Sequence, residues 1–268
     1  MKHRPSMPLA SINSFFNIVI IAQQGRLSFE ATLFSLSLRQ TNPYFAGKLF
    51  VATPEANGLW PQDPSLQSGP LYDLLTQQGV TFIRFENREF GHAYPYGNKI
   101  EALEALPVGE PIVFFDSDTL ITGNLAEVPF DFNRPSGFLR REATWPKVIA
   151  GGPDCQTIWK SLYDRFGLLN FATSLNQKHP MSDWRHYLYF NAGFFYYRCP
   201  KIFGQLFSEY AVEIRNCRPQ ELTGQMLHPW LDQVTLPLVI NARGGGHAAL
   251  PPGYLDGAHS CHYRLISF

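Results

Sequence analysis

Asp116-Ser117-Asp118 follows directly on the apolar run Ile112-Val113-Phe114-Phe115. On extended backbone, residues i and i+2 point to the same side, so the two carboxylates can be presented together while Ser117 faces away. A pair of hard oxygen ligands suits magnesium or manganese, which keep open positions for phosphate oxygens. Such an ion would bridge a diphosphate and neutralise the charge that develops on it as a group departs. Asp-x-Asp alone also occurs in turns, where the aspartates cap backbone donors, so the surroundings must decide.

His259 and His262 are the other ligand candidates. Three residues apart on extended backbone they face opposite ways, so only one of them reaches a shared ion. Pro251-Pro252-Gly253 and Gly257 oppose the helix that would bring both round. Several further polar residues have an ordinary use beside a chemical one. Lys99 can be a solvated side chain at a helix start, Asn191 a buried hydrogen-bonding amide, and Asp232 a carboxylate in the first turn of a helix. Gly244-Gly245-Gly246-His247 offers amides to a phosphate or simply forms a loop.

The elements that must position these residues follow from the apolar pattern. Asn17 to Ala22 predicts a strand, and helical spacing follows at Leu27, Ala31, Leu33, Phe34 and Leu38. Lys48 to Ala52 and Val80 to Phe85 predict further strands, separated by a helix around Tyr72 to Leu75. Lys99 to Leu106 predicts a helix stopped by Pro107-Val108-Gly109, before the fully apolar strand Ile112 to Phe115. This alternation predicts a single α/β domain over 1–268 with a mostly parallel central sheet flanked by helices. Residues 1–130 form its nucleotide-binding half, and 131–268 its acceptor-side half and closing tail. Asp116 and Asp118 then fall at the carboxyl end of a strand, where open α/β sheets bind ligands. Residues from Asp131 to His186 are less periodic and read as a long excursion over the active face. An aromatic strand follows over Tyr187 to Arg198, and the tail from Asn241 reads as loop.

The composition narrows the function. Of 268 residues 45% are hydrophobic and 16% charged, which places the chain among folded globular proteins. Lysine plus arginine equals aspartate plus glutamate at 22 each, so no overall field draws the chain to nucleic acid. The 15% aromatic content supplies flat surfaces of the kind that bind sugar rings. Cys155, Cys199, Cys217 and Cys261 form no CxxC pair and no framework, which fits a reducing, cytoplasmic setting. The run Phe15 to Ala22 after Lys2-His3-Arg4 is short and reads as a strand rather than a secretory leader. No stretch approaches the ~20 apolar residues of a membrane span.

Tyr96-Gly97-Asn98-Lys99-Ile100-Glu101-Ala102-Leu103, then Ile112 to Leu120, then Gly123-Asn124-Leu125, resembles the central region of nucleotide-diphospho-sugar transferases of the GT-A fold, especially glycosyltransferase family 8. The resemblance continues through Tyr189-Phe190-Asn191-Ala192-Gly193-Phe194-Phe195, Leu231-Asp232-Gln233 and His262-Tyr263, all in family order. It implies a Rossmann-like GT-A domain and a metal-dependent, retaining hexosyltransferase. Asp118 and His262 would ligate Mn2+ or Mg2+, and Asp116 the metal or the donor's ribose. Lys99 would assist the diphosphate or sugar, and Ser117 would lie in the same donor-binding stretch. Asn191, Asp232 and Gln233 would line the reacting sugar and the acceptor side. The family's late Lys-Pro-Trp is replaced here by Arg264-Leu265-Ile266, so Arg264 is the expected substitute for its lysine. The implied partners are a nucleotide-sugar donor, with UDP as the expected nucleotide, and a glycan, lipid or protein acceptor.

Two other functions compete. A haloacid-dehalogenase-type phosphatase shares the apolar strand ending in Asp-x-Asp, but Thr119-Leu120 stands where that family places glycine then threonine. A non-catalytic sugar-nucleotide or protein-binding module of the same fold is the second.

Overall fold

The structure is a computed structural model and describes residues 15–138, 145–247, 250 and 257–263. Its centre is a six-stranded sheet in the order β3-β2-β1-β4-β7-β6, formed by β1 (Asn17–Ile21), β2 (Leu49–Pro54), β3 (Thr81–Phe85), β4 (Ile112–Phe115), β6 (Ser136–Phe138) and β7 (Asn191–Tyr197). The first four strands are mutually parallel, and β7 and β6 continue the sheet antiparallel. A mostly parallel α/β sheet is therefore present, as the alternating pattern predicts.

β1, β2 and β4 are buried along their whole length because helices cover both faces. Alternate residues feed two cores. Val19, Ile21, Phe50, Ala52, Ile112 and Phe114 join one core, and Ile18, Ile20, Leu49, Val51, Val113 and Phe115 the other. On the second face lies α1 (Arg26–Thr41), which buries Ala31, Phe34 and Leu38 but leaves Leu33 exposed, unlike the predicted apolar set. α2 (Pro70–Gln77) lies next to it. On the first face are α3 (Asn98–Glu101), continued as a 3-10 turn to Ala105, together with α6 (Pro200–Asn216) and α7 (Leu231–Ala242).

Three segments differ from the pattern reading. The excursion after Asp131 contains β6, α4 (Cys155–Arg165) and the single turn α5 (Phe171–Ser174). α4 buries Ile158, Trp159, Leu162 and Tyr163, a helical spacing hidden in the sequence by flanking glycines and prolines. The aromatic strand begins at Asn191, since Tyr187 to Phe190 are buried without joining the ladder. The tail starts inside α7 and returns as β8 (Ser260–His262), which pairs antiparallel with β5 (Thr119–Ile121). Among the described residues no helix is long and apolar enough to cross a membrane, and none of the four cysteines is in a disulfide.

Candidate active site

β4 delivers Asp116 at its carboxyl end, where the Asp116 amide donates to the Gly193 carbonyl at 2.8 Å. The chain then turns at Ser117 and Asp118 instead of staying extended, and reverses into β5. The two carboxylates nevertheless stay close, and β8 brings His262 to them by pairing beside β5 with His262 opposite Thr119. Tyr263 closes this corner by donating its amide to the Asp118 carbonyl at 3.1 Å. One ligand atom from each of Asp116, Asp118 and His262 lies within 4.8 Å of the others, and His262 Nε2 is 2.9 Å from Asp118 Oδ1. The ligands of an octahedral ion bound at roughly 2.0–2.1 Å stand about 2.9 Å apart when adjacent and about 4.2 Å when opposite, so this donor set fits a small divalent cation. His259 points elsewhere, with Nε2 3.6 Å from Glu127 Oε2.

Gly193 leaves the space in which these side chains meet. A Cβ there would stand 2.8 Å from Asn191 Oδ1, 2.9 Å from Asp116 Oδ2 and 3.1 Å from His262 Cε1. Asn191 stabilises the approach by accepting the Gly193 amide at 2.7 Å.

Lys99 sits in the one-turn helix α3 and is almost fully buried rather than solvated. Its ammonium reaches Asp116 Oδ1 at 2.9 Å, Asp232 Oδ2 at 3.2 Å and the Ala192 carbonyl at 3.1 Å. All three of its donors are thus engaged, which makes it a strut between the β4 and α7 ends of the site. Burial lowers the Lys99 pKa, but the Asp116 and Asp232 carboxylates more than offset that and raise it above the ordinary lysine value.

Asp232 lies in the first turn of α7. Its Oδ1 accepts the Gln233 amide at 2.9 Å and lies 2.9 Å from the Tyr94 hydroxyl, which in turn accepts the Asp232 amide at 2.9 Å. Burial raises the Asp232 pKa, against the opposing pull of Lys99. Next to it, the Gln233 side-chain oxygen accepts from the Tyr189 hydroxyl at 3.0 Å.

Ser117 does not face away unused. Its hydroxyl donates to Glu30 Oε2 of α1 at 3.1 Å, and Glu30 also pairs with Arg26 at 2.6 Å. Burial raises the Glu30 pKa, with Arg26 opposing and Asp118 adding to the rise. Asp116, Asp118, Asp232 and Glu30 together face Lys99 and Arg26, a formal excess of two negative charges that matches a dication. The network borders a cavity of about 450 Å3, whose walls include Gln23, Arg26, His92, Tyr96 and His228.

Sequence reasoning named Asp116, Ser117, Asp118, Lys99, Asn191, Asp232, Gln233 and His262, and the fold gathers all of them along one edge of the sheet. Arg264 lies outside the described residues. Glu30 and Tyr94 were missed, and Tyr189 was read only as part of the Asn191 motif, not as the partner of Gln233. Tyr94 stands just before the Tyr96-Gly97-Asn98-Lys99 stretch, which is a faint local signal. Glu30 reads only as one more polar position on α1, whose buried face also carries Ser28, Thr32 and Ser35.

Residues 18–244 match the family model described as the Rhodobacterales glycosyltransferase domain. Among solved structures, the chain is similar to the galactosyltransferase LgtC in complex with donor and acceptor sugar analogues. That likeness has 13% identity and a TM-score of 0.51, and covers 87% of this chain and 73% of that one. An active-site mutant of LgtC matches at 12% identity and a TM-score of 0.51, over 87% of this chain and 72% of that one. What is shared with LgtC is the GT-A fold. No curated protein matches the sequence.

Proposed function

The chain belongs to the Rhodobacterales glycosyltransferase domain family, and on that premise we propose that it moves a sugar from a nucleotide-diphosphate donor, with UDP as the nucleotide, assisted by Mn2+ or Mg2+. The observation that carries this reading is the convergence of Asp116, Asp118 and His262 at the end of β4, beside a cavity of about 450 Å3. The cation would be held by these three side chains, where it would supply electrostatic stabilisation to the departing diphosphate.

The protein's own residues would divide the remaining work. Gly193 leaves room for Asp116 and His262 to approach one another. Lys99 fixes Asp116 relative to Asp232, so the metal end and the acceptor end keep a constant separation. Asp232 and Gln233 sit at the acceptor side of the reacting carbon, and Asn191 holds the bend of β7 beneath it. Tyr189 occupies the Gln233 oxygen, leaving its amide NH2 to donate toward substrate. Retention at the anomeric carbon is supported by the ordered resemblance to family 8. The haloacid-dehalogenase reading falls with the family match, whereas a non-catalytic binder of the same fold makes a distinct prediction.

A thermal-shift panel of UDP, GDP, CDP and ADP, each with Mn2+ or with chelator, tests this. UDP with Mn2+ at 100 times its dissociation constant should stabilise the native state by about 2.7 kcal/mol. Chelator should remove that shift and, in a transfer or donor-hydrolysis assay, the turnover. An equal shift in chelator would remove the metal role. Metal-dependent binding without any turnover would favour the non-catalytic module.

A further inference from the structure

Lys99 and Arg26 both line the cavity beside Asp116 and Asp118, and they are in opposite states. Lys99 is 7% exposed and directs all three ammonium donors at Asp116, Asp232 and the Ala192 carbonyl. It has no donor left for an incoming anion. Arg26, the first residue of α1, is 74% exposed, and its side chain is engaged by Glu30, with Nη1 2.6 Å from Glu30 Oε1. A guanidinium carries five N–H donors in a rigid fork, so most of that fork stays available on the cavity wall.

Two observations set what the fork takes. The first is its position. Glu30 Oε2 accepts from Ser117 Oγ at 3.1 Å, so one carboxylate holds both Arg26 and the turn between Asp116 and Asp118. The guanidinium therefore stands one side chain away from the turn that would hold the cation. The second is charge. A dication only balances the excess of the four carboxylates over Lys99 and Arg26, so the negative charge of a diphosphate, which grows as the sugar departs, must be met by donors aimed at it. Among the described residues of this wall, Arg26 is the permanent cation with N–H groups left to give. His92 and His228 reach the same wall as imidazoles, which carry charge only when protonated. A planar fork also matches two phosphate oxygens at once, which a point charge does not.

We propose that Arg26 binds the diphosphate of the donor, held by Glu30 beside the Asp116-Ser117-Asp118 turn. This assignment rests on the donor reading proposed above. One edge of the guanidinium keeps its bond to Glu30 while the other meets the phosphate oxygens, so the donor and the acidic turn are joined through a single carboxylate. The two cations of the cavity then have separate tasks. Lys99 braces the protein, and Arg26 touches the donor.

The test is a titration of wild type, Arg26→Ala and Arg26→Lys with Mn2+ alone, with UDP in saturating Mn2+, and with uridine in saturating Mn2+, the last followed by ligand-observed NMR. Arg26→Ala should weaken UDP at least about tenfold, the order of a hydrogen bond to a charged group, while uridine and Mn2+ alone bind as they do to wild type. Arg26→Lys keeps the charge without the fork and should recover only part of the loss. Should Arg26→Ala fail to fold, the same comparison runs between Arg26→Lys and wild type, with UDP weakened and uridine unchanged. UDP binding that is equal in wild type and Arg26→Ala overturns the assignment. An equal loss for UDP and uridine also overturns it, by placing Arg26 on the base, and a parallel loss of Mn2+ affinity does so by placing it in the metal site. Failure of wild type to bind UDP in Mn2+ overturns the donor reading and this assignment together, whereas wild-type binding that resists the substitution overturns this assignment alone.

Discussion

Around Asp116, four carboxylates, a lysine and an arginine are locked together at the sheet edge, whereas around Trp159 the wall of a second cavity is mainly aromatic and, among the described residues, carries no carboxylate. The first region must hold charge in partial burial before any substrate arrives, so every donor of Lys99 is already used. The second region holds shape: Trp159 meets Trp145 and Tyr189 edge to face at 5.1 and 5.9 Å, and Gln225 accepts the Lys147 amide and donates to its carbonyl. Electrostatic sites fail when one partner is removed, because the other charge stays buried. Aromatic sites fail gradually, since each ring contributes part of the surface. The two regions should therefore respond differently to substitution.

The largest effect should come from Asp118→Asn, which keeps the size of the side chain and removes one negative ligand next to His262. We expect transfer to fall by roughly 10²–10⁴, with unchanged circular dichroism, in line with the loss of a preorganised charge interaction. Near wild-type turnover in a folded variant would sever the link between the acidic edge and catalysis.

Lys99→Met should come next, and its effect should fall on stability as well as activity. It leaves the Asp116 and Asp232 carboxylates buried without their shared cation, at a cost of about 3–5 kcal/mol in denaturant unfolding. A cost below about 1 kcal/mol would mean that Lys99 is an ordinary lysine with a buried stem rather than the strut between the two ends.

The contrast between the regions also explains which parts were legible in the sequence. The parallel strands and the Asp-Ser-Asp turn are local features, carried by continuous apolar runs and by spacing along one segment. His262 was identifiable only through ordered resemblance, and the β5–β8 pairing supplies the physical cause of its convergence with Asp118. The aromatic lobe draws on residues 145–189, where Gly151-Gly152-Pro153 and Pro180 mask α4 and where the cavity wall comes from four separate stretches. No window of sequence contains that wall. Glu30 and Tyr94 were hidden for a similar reason, since each contributes to the site across a long sequence separation, 87 residues to Ser117 and 138 to Asp232.

The smallest expected effect lies at the foot of the aromatic lobe. Asp154 caps α4, its side chain accepting the Thr157 amide at 2.8 Å, and α4 in turn carries Trp159 into the cavity. Asp154→Ala should cost about 1 kcal/mol, the usual loss of a helix N-cap. The hydrogen bonds from Thr157 hold the Asp154 pKa below its ordinary value. For a carboxyl whose folded pKa is depressed, the charge-dependent stabilisation is fully present above the unfolded pKa of about 3.9 and is lost as pH falls through the lower folded value. The gap between wild type and Asp154→Ala should therefore be constant from neutral pH down to about 5 and shrink below that. Asp154→Asn keeps a capping oxygen without a titrating charge, so its stability relative to Asp154→Ala should not vary across the same range. Urea unfolding of the three proteins between neutral and acid pH checks this. A gap that widens on acidification would show that Asp154 does not cap α4 as a carboxylate. A gap of several kcal/mol would show that the aromatic lobe depends on a single polar contact as strongly as the charged edge depends on Lys99.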